Sequence, residues 1–388
     1  MGPPAGKRMD PAPPPGAGPE APPSHEATHD SGHHVVENFE PPQQREWVLH
    51  LTDRLFFTLH QDEAETVSHI RKYPSLFYFS NPLAEMYEPF CLDFGPVNIS
   101  VLCQFCEDLR ARCSDPRLAH RTLVFYGYAG DAHVMANTAF LLSAFLVLDT
   151  GISVEDAALK FEGLTLPYFR DATYTEPTYL LTGIEVLRGL SRARELRWVD
   201  HLTFDVEKYE DNYDMAIDMV HVLPKFAAFA APRRAHFAPL VEALVAAGVT
   251  DIVKLNSNAD YPVEAFVSKG VRVHDLCFDD CTCPAPSVVR RFLDICDKAP
   301  GVVGVHCLAG LGRTGTLIAC HMIKHYGFTA REAIGYLRLM RPGSVIGRQQ
   351  HYLELVAMSE WEGNTPVLCG EAESQEGMEV DGLGVGSG

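Results

Sequence analysis

The stretch His306-Cys307-Leu308-Ala309-Gly310-Leu311-Gly312-Arg313-Thr314-Gly315 sets a cysteine and an arginine on either side of a glycine-rich loop. Ahead of it, Val302-Val303-Gly304-Val305 is a short apolar, β-branched run that reads as a buried strand. Behind it, Thr316-Leu317-Ile318-Ala319-Cys320-His321-Met322-Ile323 reads as a helix stopped by Gly327. Strand, tight loop and helix in that order turn the backbone N–H groups of the loop and the helix N-terminus towards one point, which favours an anion. Cys307 lies at the base of that positive nest, the setting in which a thiol gives up its proton near neutral pH. Arg313 carries the planar fork that grips two phosphate oxygens and stabilises the charge of a phosphoryl group in transfer. Gly310 and Gly312 let the backbone close around a ligand. Cys307 is thus the expected nucleophile, and Leu308, Ala309, Gly310, Leu311, Gly312 and Arg313 the expected phosphate cradle. A chance cysteine in a turn would not bring all of these together.

The rest of the composition narrows the setting. At 388 residues and 46% hydrophobic, the chain has room for two domains with sizeable cores. A membrane span needs a run of about 18 uncharged apolar residues, and none is expected here. The start, Met1-Gly2-Pro3-Pro4-Ala5-Gly6, has neither an apolar signal region nor the Ser or Thr of a myristoylation site. Eleven cysteines without a disulfide rhythm fit a reducing intracellular compartment. Cys103 and Cys106 form a CxxC with no second pair, so they read as a packed helix face. No metal or other cofactor is expected. Cys281 and Cys283 read as ordinary loop residues, with a reversible disulfide to Cys307 as the alternative. The net charge of −19 argues against nucleic acid and against an anionic membrane as partners. An acidic chain around a basic pocket suits a phosphorylated substrate with basic residues beside its phosphate.

Residues 1–40 are rich in Pro, Gly and Ala and read as a disordered tail, in which His25, His29, His33 and His34 are solvated rather than metal-bound. Residues 362–388, with Glu362, Glu371, Glu373, Glu376, Glu379 and Asp381, read as a second, acidic tail. Between the tails lies an internal repeat. Asn137-Thr138-Ala139-Phe140-Leu141-Leu142-Ser143-Ala144 matches Arg313-Thr314-Gly315-Thr316-Leu317-Ile318-Ala319-Cys320 without a gap, and both stretches run on to a glycine, Gly151 and Gly327. Capping starts follow at Ser153-Val154-Glu155-Asp156 and Thr329-Ala330-Arg331-Glu332. Leu123-Val124-Phe125-Tyr126 matches the strand that feeds the catalytic loop. The chain therefore reads as two copies of one α/β domain, at 41–200 and 220–361, with a linking segment at 201–219. The register puts Asp131 opposite Cys307 and Asn137 opposite Arg313, and a carboxylate there repels phosphate. The first copy should be catalytically dead.

Phosphoryl transfer to a cysteine needs a proton for the leaving group, best given by a carboxylic acid on a nearby loop. Asp280 is the chosen acid, one helix and one strand ahead of Cys307, with Asp279 as fallback. His306 is expected either to orient the loop or to act on the thiolate directly. The Thr314 hydroxyl is placed to donate to the thiolate, and Gln349 and Gln350 to position the hydrolytic water.

The cysteine–arginine loop resembles the signature of protein tyrosine and dual-specificity phosphatases. His306–Tyr326, Arg341-Pro342-Gly343-Ser344-Val345-Ile346-Gly347 and Gln349-Gln350 narrow the resemblance to the Cdc14 family, as do Asp93-Phe94-Gly95-Pro96-Val97-Asn98 and Pro167-Tyr168-Phe169-Arg170-Asp171-Ala172 in the first half. The resemblance implies two tandem dual-specificity-phosphatase-like domains, each a central mixed sheet flanked by helices, joined by a linker helix. Only the second would be catalytic. It also implies a cleft between the domains that prefers phosphoserine followed by proline, with basic residues downstream, and Glu162 and Asp171 are candidates for its acidic lining. The partners implied are phosphoprotein substrates of proline-directed, cyclin-dependent kinases. Nucleus and cytoplasm, and the spindle, centrosome or basal body, are the implied locations. Two positions depart from the family pattern, which has lysine at Leu308 and proline at Arg348. A phosphoinositide phosphatase would be expected to carry more lysines in the loop. A non-catalytic phosphoprotein-binding scaffold would have lost the nucleophile, the arginine or the acid.

Overall fold

The computed structural model describes residues 48–213, 217–257 and 261–368; the proline-rich start and the acidic end of the chain lie outside these residues. The chain divides into two compact units. The first takes the described residues up to Glu176 together with Leu180–Ser191 and Asp200–Val206, and the second takes Pro177–Tyr179, Arg192–Val199 and the chain from Glu207 onward.

In the first unit, β1 (Val48–His50), β2 (Leu55–His60), α1 (Glu63–Lys72), β3 (Leu76–Phe79), α2 (Ile99–Ser114), β4 (Thr122–Tyr128), α3 (Ala132–Phe145) and α4 (Val154–Leu159) follow one another. The sheet order is β1-β2-β4-β3, with β4 parallel to both neighbours and β1 antiparallel. Alternation of Leu123, Val124 and Phe125 gives β4 two buried faces, as a central parallel strand requires. α3 runs on through a π-type turn at Leu146–Thr150 and ends at Gly151 with φ +75°. The stretch Ala132–Thr150 is by length and composition apolar enough to cross a membrane, and 78% of its 18-residue apolar window is buried within the fold, as in a core helix. Cys103 and Cys106 sit on the buried face of α2, where burial pushes the Cys103 thiol up to about 12. They are core residues, as expected.

α5 (Gly183–Glu195) and α6 (Val206–Tyr213) precede the second sheet. That sheet is built from β5 (Met219–Leu223), β6 (Phe226–Phe229), β7 (Val249–Lys254), β8 (Arg272–Asp275) and β9 (Val302–His306), in the order β5-β6-β9-β7-β8. A hairpin at Pro224 and Lys225 makes β5 antiparallel to β6, and the other pairs are parallel. α7 (Phe237–Ala246) and α8 (Val263–Val267) close one face over Ala227, Phe229, Val249 and Ile252. On the other face Phe226 packs on Phe292 of α9 (Pro286–Lys298) and His321 of α10 (Gly312–Tyr326). α11 (Ala330–Met340), α12 (Arg348–Met358) and the hairpin β10 (Glu360–Glu362) and β11 (Thr365–Val367) complete the unit. α10 is buried from Gly312 to Ile323, and each buried Leu, Ile or Met there stabilises the fold by roughly 1.5–3 kcal/mol. The final hairpin corrects the tail expected from residue 362. Asn364 donates from Nδ2 to Asp294 and Asp297 at 2.8 Å, and Lys324 lies over the Trp361 ring, so a polar, Gly-Asn-turned stretch is held on α9 and α10.

Candidate active site

β9 is the middle strand, and His306 at its end stands beside Phe229 of β6 and Lys254 of β7. The loop Cys307–Leu311 therefore leaves the sheet at the carboxyl ends of three parallel strands, the place where open α/β sheets bind ligands. Neighbouring backbone pins it: Leu255 N donates to the His306 carbonyl and Ala231 N to the Leu308 carbonyl, both at 2.9 Å. Gly310 has φ +69°, and a Cβ there would stand 2.2 Å from the Phe229 carbonyl oxygen, so only glycine fits. Among the described residues, no protein acceptor takes the backbone N–H groups from Ala309 to Thr314. These donors and the start of α10 form an anion cradle around Cys307, which is 3% exposed at its base.

Arg313 enters from the first turn of α10. Its Nη1 donates to the carbonyls of Leu255 at 3.1 Å and Phe278 at 2.8 Å, which fixes the plane of the fork. Nη2 has no protein partner among the described residues. Nε lies 3.0 Å from the Asp280 carboxylate but out of line for a hydrogen bond, so that contact is one of charge. Asp280 thus reaches the site from the loop after β8, whereas Asp279 is exposed and makes no side-chain bond among the described residues. Cys281 beside it takes a left-handed conformation, φ +57°, and both Cys281 and Cys283 carry free thiols.

His306 is fully buried, with Nε2 2.9 Å from the Tyr261 hydroxyl and Nδ1 3.1 Å from the Cys307 carbonyl oxygen. Burial pushes its imidazole down to about 4, so it is neutral and orients the Cys307 backbone as an Nδ1–H donor. Of the two roles left open by the sequence, these hydrogen bonds are those of the loop-orienting one. Thr314 is also fully buried, and its Oγ1 has no hydrogen-bond partner among the described residues, so the bond to the cysteine sulfur is not formed in this structure.

The paired glutamines separate. Gln349 accepts from Ile346 N, lies against Gly312, and donates to the Thr282 carbonyl at 3.1 Å, which ties the acid loop to the phosphate loop. Gln350 turns away: its Oε1 accepts from Arg338 at 2.7 Å and its Nε2 donates to Gly347. A water-positioning role fits neither glutamine in this geometry, because both ends of each amide are already bonded. Leu308 is 55% exposed at the rim, and Arg348 is exposed at the start of α12, so the two departures lie outside the buried cradle. Glu162 is exposed in the first unit, while Asp171 is 3% exposed, so the latter offers a peptide no open carboxylate. Sequence reasoning missed the Leu255 and Phe278 carbonyls that aim Arg313, since backbone groups leave no residue signal.

The first unit repeats the plan with a different outcome. In the shared register Ala132 stands opposite Leu308, yet α3 already starts there, so the phosphate loop has been wound into helix. Asp131, opposite Cys307, is the N-cap and accepts from His133 N and Val134 N at 2.9 and 3.0 Å. Its carboxylate takes the donors that a phosphate would need. Asn137, opposite Arg313, is spent on Val97 N and the Phe94 carbonyl.

Comparison with known proteins agrees with this division. Residues 49–193 match the model of the dual specificity protein phosphatase N-terminal half, and residues 243–361 that of the dual specificity phosphatase catalytic domain. The dual specificity protein phosphatase CDC14C of Homo sapiens is 33% identical over 326 residues, 80% of this chain and 71% of that one. This chain belongs to the Cdc14 family of dual-specificity protein phosphatases. Dual specificity protein phosphatase CDC14A of Mus musculus is 36% identical over 332 residues, 80% of this chain and 53% of that one. The tyrosine-protein phosphatase CDC14 of Saccharomyces cerevisiae is 34% identical over 326 residues, 78% of this chain and 59% of that one. The chain spans about half the length of several Cdc14 relatives it matches.

Proposed function

We propose that this chain is a cysteine-dependent phosphoprotein phosphatase acting through a phosphocysteine. The observation that carries the reading is the convergence of Cys307, Arg313 and Asp280 on one loop of unbonded backbone N–H groups. In the first step the Cys307 sulfur attacks phosphorus, the S–P bond forms, and the bond to the substrate oxygen breaks. Protonated Asp280 gives its proton to that oxygen. Arg313 and the loop N–H groups hold the three equatorial oxygens throughout. In the second step Asp280 takes a proton from water, the water oxygen bonds phosphorus, and sulfur leaves as thiolate. Gln349 braces the loop that carries Asp280 through the Thr282 carbonyl, and Thr314 has an uncommitted hydroxyl to offer the departing sulfur.

For substrate we propose phosphoserine followed by proline and then basic residues, with phosphothreonine and phosphotyrosine also accepted, so that the enzyme opposes cyclin-dependent kinases. The excess of acidic over basic residues, 51 to 32, supports a basic peptide. The relatives' names, dual-specificity and tyrosine phosphatases of the Cdc14 group, support the breadth. The test is a panel of phosphopeptides with and without the proline and lysines, run with the wild type and Asp280→Asn. Wild-type preference for phosphoserine-proline-basic peptides is expected, with the variant losing about 10²–10⁴-fold on peptides and much less on an aryl phosphate with a good leaving group. A flat panel refutes the specificity, and an equal loss on both substrate types refutes Asp280 as the acid.

A further inference from the structure

Arg341 is 2% exposed and lies behind the phosphate loop. Its Nε donates to the Gly310 carbonyl and its Nη2 to the Ala309 carbonyl, both at 3.0 Å. The Asp218 carboxylate stands 3.0 Å from Nη2, Nη1 lies 3.5 Å from the Asp218 carbonyl, and the Tyr213 ring faces the guanidinium at 6.0 Å. In a trans peptide the N–H points opposite to the C=O. Drawing the Ala309 and Gly310 carbonyls towards Arg341 therefore turns the N–H groups of Gly310 and Leu311 the other way. Left free, either carbonyl could swing towards the anion and replace a donor by a negative dipole, and Gly310, with no Cβ, resists such a flip least. Arg341 also brings a buried positive charge to the back of the loop, held in place by Asp218.

We propose that Arg341 is a positioning residue for the phosphatase reaction, clamping two loop carbonyls away from the phosphate, with Asp218 holding the clamp. The inference rests on the phosphatase reading above. Nothing in the linear order suggests it, because Arg341 opens a Pro-Gly turn far along the chain from the loop it holds.

The test compares wild type with Arg341→Lys and Asp218→Asn. Orthovanadate inhibition and para-nitrophenyl phosphate turnover are measured per folded molecule, with folding followed by circular dichroism. Lysine keeps the charge but cannot reach both carbonyls with a planar fork. About a tenfold or larger rise in the vanadate inhibition constant is expected for Arg341→Lys, with kcat/KM falling by a similar factor. Asp218→Asn, which leaves the guanidinium in place, should show a smaller change of the same sign, and it carries the test alone if Arg341→Lys does not fold. A purely structural role would lower melting temperature while leaving vanadate affinity and kcat/KM within twofold, and that result overturns the proposal. A wild-type chain that neither binds vanadate nor turns over would instead overturn the phosphatase reading, and this proposal with it.

Discussion

In the proposed mechanism, Asp280 and a phosphate compete for the same edge of Arg313. Nη1 is held by two carbonyls, so the ligand must use Nε and Nη2, and the Asp280 carboxylate lies 3.0 Å from Nε. Arrival of a dianion would displace the carboxylate from the guanidinium, leaving it close to the leaving oxygen where its proton is wanted. His306 makes a different contribution, to stability. Its folded pKa, about 4, lies below the unfolded value of about 6.5, so the unfolded chain binds the extra proton between those limits. The stabilisation is complete above the unfolded pKa and is lost as pH falls towards 4, on the order of 3 kcal/mol for this group. Burial lowers His321 as well, which adds a loss of the same sign. Urea unfolding of His306→Gln at several pH values between 7 and 4 should show a shallower pH dependence than wild type, and equal slopes would refute the assignment. That Cys307, Arg313 and Asp280 lie together was legible in the sequence, because a strand, a tight loop and a helix set their placement. Gln350 and Arg341 were not, because their partners, Arg338 and the loop carbonyls, are chosen by packing.

A strand, a loop and a buried helix serve both units, and what separates them is where the helix begins. α10 starts after five loop residues, Cys307–Leu311, and leaves its first N–H groups open, whereas α3 starts directly after Asp131 and closes them with that residue's carboxylate. The repeat was legible through the matching C-caps at Gly151 and Gly327 and the N-caps at Ser153 and Thr329, since backbone geometry constrains those residue types. The early start of α3 was not, because a gapless register hides a change of loop into helix. The hairpin at β10 and β11 was missed for a related reason: its hold comes from Asp294, Asp297 and Lys324, far away in sequence. Asp131→Ala tests the cap. It should cost about 1 kcal/mol of stability in thermal unfolding and leave phosphatase turnover unchanged. Loss of turnover without loss of stability would mean that Asp131 does more than close a helix.

The whole chain joins two units of related plan, and among the described residues the loop of open backbone N–H groups around a cysteine lies in the second. In the first unit the positions opposite Cys307 and Arg313 serve as a helix cap, Asp131, and a loop brace, Asn137. Chemistry should accordingly be confined to one sulfur atom. The decisive measurement is rapid acid quenching of the chain during turnover of an aryl phosphate, followed by peptide mass spectrometry of the trapped protein. A single phosphocysteine, at Cys307, is the expected result. Phosphate on any other residue, or turnover that persists in Cys307→Ser, would contradict the account.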